Sequence, residues 1–112
     1  VDLLNACDIV CIPSRNEPFG IVLLEAWGAE RAVVSTEIGG LVENIKNFEN
    51  GIKVYHSPYS IAWGINYIIN DAKGVKLLGK KGRATAEKFF NWDLIASKTL
   101  EVYKNGNLSH LR

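Results

Sequence analysis

Short apolar runs alternate along this chain with longer segments of mixed polarity. Asp8-Ile9-Val10-Cys11-Ile12 is apolar and stops at Pro13, Ala32-Val33-Val34-Ser35-Thr36 is β-branched, and a third run follows the turn at Asn50-Gly51. Runs of this length and composition, bounded by Pro, Gly and Asn, predict strands over 8–13, 32–36 and 52–55. The segments between them suit helices: 20–30, apolar nearly all round its first two turns and so expected to be buried, and about 40–47, opening at Gly39-Gly40. Further helices are predicted at about 59–71 after Ser57-Pro58, at 73–90 and at 92–104, and 1–6 reads as the end of a helix. Strands separated by helix-length segments imply right-handed crossovers and an α/β fold with a parallel sheet covered on both faces.

One junction offers chemistry. Ser14-Arg15-Asn16-Glu17-Pro18-Phe19-Gly20 leads from the first strand into the 20–30 helix. A helix start leaves the amides of Gly20, Ile21 and Val22 without carbonyl partners, and the positive dipole end adds to their attraction, so a phosphate fits there. Gly20 lets a ligand approach the backbone. Glu25 stands in a helix expected to be buried, where an unpartnered carboxylate costs several kcal/mol and needs something to hold. It lies roughly 7–8 Å along the axis from Gly20, a span comparable to that from a diphosphate to its ribose.

These residues resemble a known family. Glu17 and Glu25 form an E-x7-E pair written E-P-F-G-I-V-L-L-E, preceded by a strand ending in P-S and followed by Ala26. This is similar to the signature of retaining glycosyltransferases of the GT-B fold, the group 1 or family 4 class that includes bacterial and archaeal glycogen synthases. The similarity continues through Gly39-Gly40-Leu41-Val42-Glu43, Asn50-Gly51-Ile52-Lys53-Val54 and 92–103, covering about residues 4–104. The 57–69 segment is similar to archaeal glycogen or starch synthase-like sequences.

The resemblance implies a three-layer, doubly wound, Rossmann-like parallel sheet. This chain is then the second half of the C-terminal donor-binding domain over 1–104, with about three strands plus C-terminal helices. It implies transfer of a hexose of glucosyl type, in glycogen-like or starch-like glucan synthesis, from a nucleotide sugar such as ADP-glucose or UDP-glucose. Glu17, Phe19 and Gly20 would contact the donor sugar, Gly20, Ile21 and Val22 the diphosphate, and Glu25 the ribose hydroxyls. No residue is assigned as catalytic and no cofactor is expected; the class generally works without a metal, and no Asp-x-Asp occurs. The sequence departs from the family pattern in three ways. The basic Arg and Lys pair that grips the diphosphate would lie upstream, the N-terminal acceptor domain is missing, and Glu30 and Ala32 stand where Gly and Pro are common. The chain alone is therefore expected to be inactive, and the other reading is a catalytically inactive half-domain serving folding, assembly or regulation. Strand 8–13, central in the whole sheet, would have one side unpaired, so a homodimer through that exposed edge is expected.

Plainer roles stay open for the same residues. Glu17 could cap a nearby amide, Glu25 could pair with a Lys or Arg, and Gly39-Gly40 could be a tight turn or the rim of the donor site. Glu43 could be an N-terminal capping acid or a contact residue. His56 has no acid or cysteine near it and is assigned no chemistry.

Composition adds boundaries. With 112 residues, 47% apolar, 22% charged and a net charge of +1, this is a soluble globular chain of one domain or part of one, with no reason to bind nucleic acid or an acidic membrane. No run is long enough to span a bilayer, and a cytoplasmic setting is expected. Cys7 and Cys11 make a poor metal site without a nearby His and sit too far apart on a strand for a disulfide, so both read as small apolar residues. Lys73, Lys76, Lys80, Lys81, Arg83 and Lys88 read as a solvated helix face rather than a phosphate site. Trp27, Trp63 and Trp92 are expected in the core or beneath the terminal helices rather than stacked on a base. Residues 105–112 are expected to form a disordered tail, and its Asn107-Leu108-Ser109 sequon carries meaning only with secretion.

Overall fold

The structure, a computed structural model, describes residues 1–106. Its elements run α1 (Asp2–Ala6), β1 (Ile9–Ile12), α2 (Ile21–Gly28), β2 (Ala32–Thr36), α3 (Gly40–Asn44), β3 (Ile52–Val54), α4 (Pro58–Ile69), α5 (Ala72–Phe89) and α6 (Trp92–Asn105). The three strands are parallel in the order β1-β2-β3, with Ile9 opposite Ala32 and Val34 opposite Ile52. The predicted α/β class, the parallel sheet and the C-terminal helices are all present. Helix α6 ends at Asn105, one residue into the expected tail, and the sequon with the rest of that tail lies outside the described residues.

Alternation along β2 builds both faces. All five of its residues are buried: Val33 joins Ile12, Leu23, Ala26, Trp27, Leu41 and Ile45 on one side, while Ala32 and Val34 join Ile52, Val54, Ile68 and Leu78 on the other. Each fully buried side chain of this size contributes roughly 1.5–3 kcal/mol. Helix α5 serves both clusters. It starts beside the second through Val75 and Leu78 and ends against the first through Ala86 and Phe90. Glycines permit this path: a Cβ at Gly79 would strike the Glu30 carbonyl, and one at Gly82 would strike the Trp27 ring.

Helices α2, α3 and α4 end two or three residues earlier than their sequence pattern predicts, and the first two have visible causes. Helix α2 stops at Gly28 because Glu30 takes a left-handed φ of 56° and the chain doubles back, with the Arg31 amide donating to Ala26 O (2.9 Å) and the Glu30 amide to Trp27 O (2.9 Å). That is a Schellman closure with glutamate where glycine is usual. Helix α3 stops at Asn44 because the buried Asn50 claims the following turn. Its Oδ1 accepts from the Lys46 amide (2.8 Å), and its Nδ2 donates to Asn44 O (3.3 Å) and Thr85 Oγ1 (3.3 Å).

Of the three tryptophans only Trp27 is in the core, fully buried with its Nε1–H donating to Asn50 O (3.1 Å). Trp63 is half-exposed and Trp92 is 83% exposed, because α6 buries none of its residues. Both cysteines are free. Cys7 closes α1 and donates weakly to Leu4 O, whereas Cys11 is exposed on β1 rather than packed. The named α5 lysines and Arg83 are exposed, as expected of a solvated face, and Arg83 pairs with Glu87 (2.8 Å) and Glu30 (3.7 Å).

Candidate functional site

The candidate site forms where β1 and β2 end. Buried Thr36, the last residue of β2, donates its hydroxyl to Ser14 O (2.7 Å) and ties the loop leaving β1 to the neighbouring strand. The two loops then touch directly. The Gly40 amide donates to Glu17 O (3.0 Å), Gly39 lies against the same carbonyl, and a Cβ at Gly40 would come within 2.6 Å of Phe19 O. Gly39 has φ 52° and ψ −137°, a conformation suited to glycine alone. The glycine pair is thus both a tight turn and a wall of the site.

Gly20 caps α2 with φ 98° and ψ 56°, so a side chain there would be strained as well as pressed on Leu41. Its amide is not free. It donates to Glu17 Oε1 at 3.1 Å, which makes the capping role of Glu17 real and reduces the expected three open amides to two. The Leu23 amide closes onto Gly20 O (3.0 Å), while the amides of Ile21 and Val22 have no partner among the described residues. Phe19 is partly exposed and meets Phe90 edge-on, ring centroids 5.9 Å apart.

Glu25 differs from expectation. It is exposed, not buried, because α2 packs through Leu23, Ala26 and Trp27, with Leu24 partly buried beside them, and leaves Ile21, Val22 and Glu25 facing outward. The need for a partner to offset burial therefore falls away. What remains is position: Glu25 follows Ile21 by four residues, on the same helix face and about 6 Å along the axis. Its carboxylate makes no ion pair or hydrogen bond among the described residues, and it borders a shallow cleft of about 350 Å³ with Leu4, Asn5 and Ala29. A larger cleft of about 600 Å³, lined by residues including Lys46, Lys81, Thr85 and Lys88, lies between the α3–β3 loop and α5. Glu43 borders this larger cleft and caps no amide of α3.

The structure therefore brings Glu17, Phe19 and Gly20 together with Gly39 and Gly40, and aligns Ile21 with Glu25 on the open face of α2. Sequence reasoning missed the Thr36 tether and the Glu17–Gly40 contact; a β-strand ending in Thr and followed by Gly-Gly was the available signal. An open parallel sheet with unsatisfied helix amides beyond the carboxyl ends of its strands belongs to the doubly wound α/β class, whose ligands bind at that edge. Comparison narrows this further. The model of the family "Glycosyl transferases group 1" matches residues 1–85, and the chain belongs to that family. An uncharacterised glycosyltransferase of Methanocaldococcus jannaschii is 43% identical over 103 residues, covering 91% of this chain and 26% of that protein. A glycogen synthase of Mycobacterium tuberculosis is 30% identical over 102 residues, 90% of this chain and 25% of that one. Among solved structures, sucrose-phosphate synthase of Thermosynechococcus elongatus superposes with a TM-score of 0.86 at 31% identity, covering 91% of this chain and 26% of its own. Anabaena HepE in complex with UDP and glucose gives 0.85 at 28%, covering 92% of this chain and 28% of its own. The chain thus corresponds to a C-terminal portion of a GT-B group 1 glycosyltransferase and spans about a quarter of the length of these relatives. Among the described residues, no helix is long and apolar enough to cross a membrane.

Proposed function

We propose that this chain holds the nucleotide sugar in a retaining hexosyl transfer, with a glucosyl donor such as ADP-glucose or UDP-glucose and a glycogen-like or starch-like glucan as product. The observation that carries the reading is the pair of unpartnered amides, Ile21 and Val22, opening α2 at the carboxyl end of the sheet with Glu25 one turn further on. Amides at a helix start stabilise negative charge developing on a departing diphosphate without reorganising, which is the main electrostatic demand of the reaction. Glu25, an acceptor with both oxygens open, suits the two ribose hydroxyls. Glu17, Phe19 and Gly20 would border the sugar. The complex of HepE with UDP and glucose and the relationship to a glycogen synthase support this donor class.

Turnover is proposed to need the acceptor-binding domain and the basic diphosphate grip that the resemblance places upstream. The charge on the leaving group is proposed to fall on amides and basic side chains rather than on a metal. Free Cys7 and Cys11 suit a reducing, cytoplasmic setting. The test is a heteronuclear NMR titration with ADP-glucose, UDP-glucose and GDP-mannose. One donor should shift the amides of residues 20–22, and Glu25→Ala should weaken it by roughly 10- to 100-fold, the worth of a hydrogen bond to a charged acceptor. If no donor moves those amides, the donor reading is wrong.

A further inference from the structure

A second surface lies at the opposite end of the sheet. Gly20 and Gly39 follow β1 and β2, whereas Phe48 precedes the parallel strand β3 and so stands at the amino end. There Phe48 meets Trp63 edge-on (centroids 6.3 Å) and Tyr67 edge-on (5.3 Å), and Trp63 lies beside Tyr67 at 5.4 Å with only 31° between the rings. Phe48, Trp63 and Tyr67 are 52%, 49% and 56% exposed, and Tyr59, one turn before Trp63, is 90% exposed.

This cluster is built, not incidental. Phe48 has φ 63°, a left-handed conformation that is a genuine outlier for a bulky residue and costs on the order of 1–2 kcal/mol. The loop is pinned in that shape by the Phe48 amide on Gly51 O (2.9 Å), the Lys53 amide on Asn47 Oδ1 (2.9 Å) and the buried Asn50. Helix α4, which supplies the other rings, carries no charged side chain in its twelve residues although half its surface faces solvent. Exposed Asn66 lies between Trp63 and Tyr67 in sequence.

The chemistry selects the ligand class. Ring faces carry partial negative charge and attract the polarised C–H groups of an apolar sugar face, while phenol and amide groups at the margin hydrogen-bond sugar hydroxyls. A helix face without charge offers nothing to a polyanion, whose binding needs cations. Size argues against a protein partner: three half-exposed rings and the nearly bare Tyr59, of about 150–250 Å² each, leave roughly 500 Å², against about 800 Å² a side in a stable protein interface. We propose that Phe48, Trp63 and Tyr67, with Tyr59 and Asn66 at the margin, form a platform that binds a neutral oligosaccharide apart from the donor end. This inference stands independently of the donor reading.

The probes are maltoheptaose and cellohexaose, titrated into the protein while the Trp63 indole N–H resonance is followed. At least one should shift it, and Trp63→Ala should weaken binding by about tenfold or more. Phe48→Gly should weaken it comparably, in a protein that keeps its fold because glycine accepts φ 63° without strain. The response of residues 20–22 to UDP-glucose should be the same in both variants as in the parent, so failure at one site is separable from failure at the other. The proposal is overturned if neither sugar moves the Trp63 resonance, or if sugar binding moves residues 20–22 instead. It is equally overturned if the patch drives concentration-dependent self-association that Phe48→Gly abolishes.

Discussion

Replacing Gly39 with alanine asks whether the candidate site is held by contact between the loop after β1 and the loop after β2. At φ 52° and ψ −137° an alanine backbone is strained by roughly 1–3 kcal/mol. Its Cβ would also strike the Glu17 carbonyl, a backbone atom that no rotamer change can move aside, and such overpacking costs about 1–3 kcal/mol more. Together the loss is about 4 kcal/mol, a large part of the roughly 5–15 kcal/mol that keeps a domain folded. Relief comes only by parting the loops, which breaks the Gly40 amide's bond to Glu17 O and moves the Glu17 carboxylate off the Gly20 amide. Gly28→Ala is the matched control. The same methyl meets nothing within 4 Å at the end of α2, and alanine's better helix propensity stabilises by up to about 1 kcal/mol. Urea unfolding of the parent and both variants should give midpoints shifted in opposite directions at similar slope. In the folded Gly39→Ala protein the Gly20 amide resonance should also move. If Gly39→Ala unfolds within about 0.5 kcal/mol of the parent, the usual scatter of surface substitutions, the loops are not braced as described.

Two further outcomes follow from the edge strand. Although Cys11 is exposed on the edge strand, partial desolvation pushes its thiol above the ordinary value, so folding loses stability as pH rises from the unfolded-state thiol pKa through the higher folded value. Alkylation of Cys11 should therefore reach half its limiting rate at a higher pH in the folded protein than in urea, and the reverse order would contradict the partial desolvation. The outer side of β1 has no strand partner among the described residues, and a homodimer through that edge remains our proposal for the 112-residue chain. Sedimentation velocity should show self-association that Cys11→Lys suppresses; a monodisperse monomer in the parent chain would refute it.

The strands were legible because β-branched runs bounded by Pro, Gly and Asn have few other uses. Helix ends were less so. The end of α3 depends on Asn50, six residues beyond it and held in place by Trp27 and Thr85, so no window on the helix itself contains the signal. Apolar positions all round α2 predicted burial, but a pattern cannot say which side receives a neighbour, and the side that does carries Leu23, Leu24, Ala26 and Trp27. The same limit explains Trp63, which its neighbours cover only in half, and Trp92, on a helix that buries none of its residues. The E-x7-E spacing and its P-F-G insert carried the family from sequence alone. The way Glu17 uses its side chain and its carbonyl on two different glycine amides required coordinates.

That double use of Glu17 connects the two roles the sequence left open for it. Its carboxylate occupies the Gly20 amide at the positive end of α2, a favourable place for any anion. Under the proposed function a diphosphate enters the same helix end. Two negative charges about 4 Å apart repel by about 4 kcal/mol at the effective dielectric of a protein surface. The entering diphosphate carries more charge and can also take the Ile21 and Val22 amides, so it displaces the carboxylate instead of sharing the end with it. Glu17 O stays bonded to Gly40, which keeps the residue in place while its side chain turns away from the amide. The freed carboxylate is then an acceptor beside Phe19 and Gly20, where the resemblance places the donor sugar's hydroxyls. Capping and sugar contact are on this argument two uses of one residue, and the exchange leaves the Gly20 amide satisfied in both.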